Sequence, residues 1–356
     1  MKLKHFGRLL AAAGMALLLT GCAKRDPIDV DELVGKQEET TVAETMAEEE
    51  TSVTLHTVEE TTEAAPTEPE TEPVPEEITL LFAGDVYFSN HVMNAYNQAG
   101  GITGVLDDAI RQEIEAADIF MVNQEFPFTD RGEPVPDKQF NFRVPMERAS
   151  ILTEMGVDIV TLANNHILDY GPVGITDSIT ALDGQGILHV GAGEDLEEAK
   201  KAEFIEVNGK TIGFLGTSRV YMATDWAAGE GHPGVFSTYD PTLPLKEIEE
   251  VKKQCDYLVV FVHWGIERNT EPENYQRVMG KQYIDAGADI VVGSHPHVLQ
   301  EIEDYEGKPI IYSLGNFVFG SRIPETELVK VILSEDGMDV TTIPLTSSAG
   351  FTRIRE

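Results

Sequence analysis

Cysteine is nearly missing from this 356-residue sequence, which has two, Cys22 and Cys255. So far apart, they exclude a disulfide framework and any zinc or iron–sulfur site built from several thiolates. Cations are scarce as well, with 26 Lys and Arg against 62 Asp and Glu and a net charge of −36. A chain so poor in positive charge has no footprint for displacing counterions, so nucleic acid is not an expected partner. No repeat of 20–50 residues and no second break in composition occurs beyond residue 78, which favours one domain over two. The apolar run at 9–19 is too short to span a bilayer as a mature helix. Hydrophobic residues make up 42% of the chain, an ordinary share for a globular protein.

Lys2, Lys4 and Arg8 precede that apolar run, and Leu19-Thr20-Gly21-Cys22 closes it. A basic lead, a short apolar core and a small-residue end are the parts of a secretory signal. A buried amphipathic helix would show polar positions at helical spacing, and this run has none. The closing tetrapeptide resembles the lipobox of bacterial lipoproteins. That implies lipidation of Cys22 and anchoring to the extracytoplasmic face of the cell membrane, with residues 1–22 as the signal peptide. Residues 23–77 read as a tether. Between 26 and 77 there are 18 acidic residues and one base, Lys36, with Thr, Val, Ala and Pro supplying most of the rest. Such a composition buries too little surface to offset chain entropy, so a disordered acidic linker is expected, reaching on the order of 40 Å. The first 25 residues carry +5 and residues 26–77 carry −17, which leaves −24 for residues 78–356.

From 78 onward apolar runs alternate with helical periodicity. Strands are expected at 78–83, 118–122, 157–163, 187–190, 257–262, 289–292, 309–312, 328–333 and 338–343, and helices at 104–117, 147–155, 173–182, 245–254 and 273–286. Runs 202–207 and 210–215 flank Asn208-Gly209, a strong hairpin signal. Continuous β-branched strands alternating with helices predict one α/β domain over 78–356, with its sheets covered by helices.

Five polar clusters fall at the carboxyl ends of these strands: Gly84-Asp85, Asn123-Gln124-Glu125, Asn164-Asn165-His166, His263-Trp264-Gly265 and Ser294-His295-Pro296-His297. Loops from different strands converge at such ends, so the five can form one site. Taken singly, each has a plainer reading, such as a turn for Gly84-Asp85 or a satisfied core histidine for His166. Pro296 is expected to hold its predecessor extended, so that His295 and His297 point to one side and can share a metal. Asp85, Glu125, Asn165, His263, His295 and His297 make a candidate ligand set of imidazole, carboxylate and amide oxygen. Such a set suits divalent Zn, Mn or Fe rather than Ca. Six ligands exceed the needs of one catalytic zinc and suit two ions about 3.5–4 Å apart with a carboxylate between them. His166 is then left as general acid.

Asp169 is expected either to orient His166 or to cap the helix that begins after Pro172. Arg143 is a candidate for holding an anionic substrate, with a structural ion pair as the alternative. Lys138 and Arg219 are weaker candidates of the same kind. Gly191-Ala-Gly193 reads as a strand-to-helix turn, and Cys255 as packing at a helix–strand junction.

Six stretches occur in order: Phe82-Ala-Gly-Asp-Val, Val122-Asn-Gln-Glu, Ala163-Asn-Asn-His-Ile-Leu-Asp-Tyr-Gly171, Val262-His-Trp-Gly265, Gly293-Ser-His-Pro-His-Val-Leu-Gln300 and Ser313-Leu-Gly-Asn-Phe317. In them the chain resembles the CapA family of capsule (poly-γ-glutamate) synthesis proteins, related to calcineurin-like metallophosphoesterases. The resemblance implies a four-layer αββα metallophosphoesterase-like sandwich and a surface role in polyglutamate or capsule production. It also implies that Asp85 belongs to the first metal motif and that Glu125 stands where phosphoesterases usually have a bridging Asp. Asn165 with His166 matches their Asn-His motif, and His263, His295 and His297 match the later histidines. Tyr87 departs from the pattern, standing where the usual Asp-x-His motif has its histidine, and this puts catalysis, not fold, in question.

Two functions are compatible with this sequence. One is a membrane-tethered, metal-dependent hydrolase of a phosphoester or γ-amide, with His166 protonating the leaving group. The other is a non-catalytic scaffold that uses metal to hold an anionic polymer such as poly-γ-glutamate, or capsule synthase membrane subunits. A charge of −24 favours the scaffold, because it repels a polyanion unless Arg143 and its neighbours form a local positive pocket.

Overall fold

The computed structural model describes residues 77–355. The expected signal peptide, Cys22 and all of the acidic tether before Glu77 lie outside the described residues. Among the described residues no helix is long and apolar enough to cross a membrane.

Two sheets carry the architecture. The first has the spatial order Phe351–Ile354, Gly337–Ser348, Arg322–Ser334, Ile78–Val86, Ile119–Gln124, Ile159–Thr161 and Leu188–Val190, and Asn316–Val318 pairs with the end of Ile78–Val86. From Ile78–Val86 to Leu188–Val190 its strands are parallel, and the three C-terminal strands join antiparallel. The second sheet has the order Ile302–Tyr305, Lys308–Ile311, Ile290–Ser294, Tyr257–His263, Lys210–Ser218 and Glu203–Val207. Its edge hairpin turns at Asn208 and Gly209, with φ of 51° and 74°, the two left-handed residues that a tight hairpin loop requires.

Strand alternation decides what lies on each side. Leu80 and Phe82 meet Phe214, Val259, Phe261 and Val292 in a core between the two sheets. Leu81 and Ala83 face the other way, against Ile110 of the helix Asp108–Glu115 and against Ile175 and Leu182 of the helix Val173–Asp183. On the second sheet Leu258, Val260 and Val262 face outward to Ile248 and Val251 of Thr242–Lys252 and to Met279 and Tyr283 of Asn274–Ala286. Helix, sheet, sheet and helix follow one another, the expected αββα sandwich. A one-residue slip in any of these strands would exchange its two apolar faces, so the register is tightly specified.

Several elements differ from expectation for local reasons. The helix expected at 104–117 begins only at Asp108. Leu106 is held in a bridge to Thr352, and the Asp107 carboxylate caps the helix by accepting from Ile110 N at 2.8 Å. The segment at 147–155 divides into a turn, Met146–Arg148, and a short helix, Ser150–Glu154. The helix Asn90–Ala99 was not expected; Val92 is its one buried residue, and Met93 and Tyr96 pack half-buried beside it against the core. Strands Ile302–Tyr305 and Phe351–Ile354 are short and half exposed. Ala192–Gly193 pairs with Gly234–Val235 before the helix Leu196–Ala199, so the turn expected there is also a small ribbon. Cys255 packs at the junction of Thr242–Lys252 and Tyr257–His263, as expected.

Gly84 prepares the site. A Cβ there would lie 1.9 Å from the carbonyl oxygen of Gly315, which accepts from Asp85 N at 2.9 Å. Without a side chain, the 313–317 segment closes directly on the strand end that presents Asp85.

Candidate metal centre

Register brings the polar strand ends to one level. Asp85 lies opposite Asn123, and Asn123 opposite Thr161, in the first sheet. In the second, His263 lies between Ser294 and Ser218. The two sheets meet here, and all six residues expected as ligands come together.

Two groups of donors form within this cluster, Asp85 with Glu125 and His297, and Glu125 with His263 and His295. Glu125 belongs to both. It follows directly on Ile119–Gln124 and is fully buried, with Oε1 3.5 Å from His263 Nε2 and Oε2 3.8 Å from His297 Nδ1. Asn165 Oδ1 approaches the same His263 Nε2 at 2.9 Å, while Ser294 Oγ contacts Nδ1 at 2.9 Å. Asp85 Oδ1 accepts from Asn123 Nδ2 at 2.8 Å, and its Oδ2 lies 3.1 Å from His297 Nδ1. Asn316 Oδ1 is 2.8 Å from that same nitrogen.

The donor set fits divalent cations. Both oxygens of Glu125, Asp85 Oδ2 and His295 Nδ1 are buried without a hydrogen-bond partner among the described residues. Each such atom costs about 1–3 kcal/mol or more when left unmatched, so four in one place mark a position built for something positive. Protonation points the same way. Burial, followed by the charge of Asp85, pushes the Glu125 carboxyl well above the ordinary range. Burial drives His297 down, but Glu125 and Asp85 together outweigh it and raise this imidazole to about 10. His297 is thus the imidazole that faces both carboxylates, 3.1 Å from Asp85 Oδ2 and 3.8 Å from Glu125 Oε2. Burial and the other histidines hold His263 well below its ordinary value and His295 at about 3, which leaves neutral rings suited to ligation.

The geometry of His295-Pro296-His297 differs from expectation. His295 and His297 have φ of 97° and 57°, not the extended backbone that proline was expected to impose. The loop turns between them, so the two histidines enter different donor groups instead of sharing one.

Beside the donors, His166 Nδ1 contacts the buried Asp169 carboxylate at 2.6 Å. Asp169 also accepts from Phe142 N at 2.6 Å and from the ammonium of Lys138. Asp169 caps nothing: the helix Val173–Asp183 begins at Pro172 without a side-chain cap. Of the two expectations for Asp169, contact with His166 is the one observed. Phe142 stacks on His166 at 4.0 Å between ring centroids, and Tyr87 stacks on Phe142 at 4.1 Å. Tyr87 thus fills the position of the usual histidine with an aromatic prop for His166. Burial lowers the pKa of His166 against the raising effect of Asp169.

The expected cations are placed less uniformly. Arg143 is exposed and lies over the Tyr170 ring at 4.2 Å, with no carboxylate within ion-pair distance among the described residues. Arg219 is held between Tyr239 and Tyr275, each 4.6 Å away. Lys138 is no open anion site: its ammonium donates to Asn165 O at 2.6 Å and lies over Trp226 at 5.2 Å. Sequence reasoning also missed the supporting amides. Asn164 donates to Asn123 Oδ1 at 3.0 Å and Gln124 O at 2.8 Å, and accepts from the backbone of His166 and Ile167. Its place beside Asn165 in the Asn-Asn-His motif was the available signal.

The family described as Bacterial capsule synthesis protein PGA_cap matches residues 79–321. The PGA biosynthesis protein CapA of Bacillus subtilis is 37% identical over 269 residues, 73% of this chain and 69% of that protein. The capsule biosynthesis protein CapA of Bacillus anthracis is 33% identical over 286 residues, covering 77% and 69%. Among solved structures, a phosphatase from Mycoplasma pneumoniae superposes with a TM-score of 0.48 at 14% identity, covering 77% of this chain and 95% of that one.

Proposed function

Because the chain belongs to the bacterial capsule synthesis protein PGA_cap family, we propose that it serves polyglutamate or capsule production as a metal-dependent hydrolase. It acts on a phosphoester or γ-amide from a lipid anchor at Cys22 on the outer face of the membrane. One observation carries the hydrolase reading: a carboxylate shared by two donor groups stands beside a histidine already tied to a buried acid. A scaffold has use for the cations but none for an imidazole held in that way.

Asp85, Glu125 and His297 would hold one ion, and Glu125, Asn165, His263 and His295 the other, with Mn, Zn or Fe as the occupants. Bound there, such ions supply Lewis-acid polarisation of the scissile group and lower the pKa of water. Asp169 fixes Nδ1 of His166 as the protonated nitrogen, which leaves Nε2 to take up a proton and return it to the leaving group. Asn164 and Lys138 hold the Asn165-His166 segment in place. Arg143 offers the anionic substrate its first cation, against the repulsion of a −24 domain. Poly-γ-glutamate and the membrane subunits of a capsule synthase are the proposed partners.

Chelation and reloading test the chemistry. The stripped protein is expected to lose about 100-fold or more of its turnover of p-nitrophenyl phosphodiesters or γ-glutamyl anilides, and to regain it with one of the three metals. Equal rates before and after stripping would discard the hydrolase. The anchor is tested separately. Cys22→Ser is expected to abolish incorporation of labelled palmitate and to release the protein from the membrane fraction, whereas undiminished label would end the lipoprotein reading.

A further inference from the structure

A cavity of about 400 Å³ lies between the segment His297–Leu299 and the start of the strand Arg322–Ser334. Its walls include Thr270, His297, Leu299, Asn316, Arg322 and Pro324. That volume is within the usual range for small-molecule sites. The cavity adjoins the donor cluster, since His297 Nδ1 stands 2.8 Å from Asn316 Oδ1 and 3.1 Å from Asp85 Oδ2. Leu299 and Pro324 give it apolar walls.

One cation and one anion line it, Arg322 and Glu325. Arg322 is exposed and has no carboxylate within ion-pair distance among the described residues, although Glu325 also lines the cavity. Glu325 is occupied elsewhere, pairing with Arg355 at 2.5 Å. Several other arginines are matched, Arg131 with Asp177 and Arg277 with Glu301 among them. An unpaired guanidinium facing a part-apolar cavity is suited to a ligand unit with a short run of methylenes and a pendant carboxylate, which the planar fork can grip with two hydrogen bonds.

We propose that this cavity is a subsite for one unit of a γ-linked glutamyl chain, with Arg322 as its specificity residue and the adjoining bond delivered past His297 to the metal centre. The inference rests on the hydrolase reading and names its substrate side.

Equilibrium binding measures it without turnover. A fluorescein-labelled γ-linked glutamate oligomer is titrated against the metal-loaded protein and followed by anisotropy. Arg322→Gln is expected to weaken binding about 10–100-fold, Arg322→Lys to recover part of it, and added salt to weaken wild type more than Arg322→Gln. Leu299→Trp, which fills the cavity, is expected to weaken binding with metal content unchanged. Affinities within twofold of wild type for both Arg322→Gln and Leu299→Trp, or no binding by wild type, would overturn the subsite. Turnover of a small p-nitrophenyl ester separates the two readings. Retained turnover with no dependence of binding on Arg322 removes the subsite and leaves the hydrolase. An Arg322-dependent affinity with no turnover of any substrate removes the hydrolase and leaves the subsite.

Discussion

Glu125→Gln is expected to empty both donor groups at once. Glu125 is the one residue common to Asp85/Glu125/His297 and Glu125/His263/His295, and an amide keeps its volume while removing the anionic charge. Metal affinity is expected to fall by at least about 100-fold, more than substitution of a residue behind the ligands produces. His295→Ala and His297→Ala are each expected to spare the group they do not belong to, and together to strip most of the metal. Stability should move the opposite way. In the metal-free chain Glu125 is fully buried with neither oxygen hydrogen-bonded, and burial holds its carboxyl well above the ordinary range, so Gln replaces a poorly solvated acid with a neutral group of the same size. The stripped variant is expected to melt no lower than the stripped wild type, and to gain much less on adding metal. Elemental analysis and calorimetry check the pair. Unchanged metal content in Glu125→Gln would remove the shared-carboxylate arrangement, and loss of metal with a large fall in apoprotein stability would mean a structural role instead.

His166→Ala is expected to leave metal and fold intact while slowing turnover by roughly 10²–10⁴-fold, the usual worth of a positioned acid or base. The loss should shrink for a p-nitrophenyl ester, whose leaving group needs little protonation. Asn165→Ala should weaken metal binding and slow both kinds of substrate alike, because Asn165 Oδ1 faces His263 Nε2 and not the leaving group. In a deletion strain, full restoration of capsule by a folded, metal-loaded His166→Ala would exclude catalysis and leave the scaffold.

Much of this was legible in the residue pattern because α/β sheets concentrate chemistry at strand ends. Asp85, Glu125, Asn165, His263, His295 and His297 could be placed together from topology alone. What was illegible depended on backbone geometry or on long-range partners. The positive φ of His295 and His297 has no counterpart in the proline rule used to read that loop. Lys138 stands 31 residues before Asp169 in a segment with little regular structure, so nothing local shows that its ammonium is committed to that carboxylate. Asp169 was ambiguous for the converse reason. A carboxylate three residues before Pro172 suits a helix start equally well, and only the fold sets Phe142 N and His166 Nδ1 against it. The short helix Asn90–Ala99 escaped although Val92, Met93 and Tyr96 share one face, because the segment is polar elsewhere and Ser89 makes no side-chain cap to mark its start.

The donors are divided between the two sheets: Asp85, Glu125 and Asn165 come from the first, and His263, His295 and His297 from the second. The core cluster between those sheets is built from apolar side chains, Leu80, Phe82, Phe214 and Phe261 among them, a contact with strength but no direction. Ions fastened to both halves at one rim would act as rivets. Because they bind the native chain and not the unfolded one, they would add about 4 kcal/mol at a concentration a thousand times the dissociation constant. Survival against proteases would then follow the supply of the ion, so that scarcity shortens the life of the molecule before it limits any reaction.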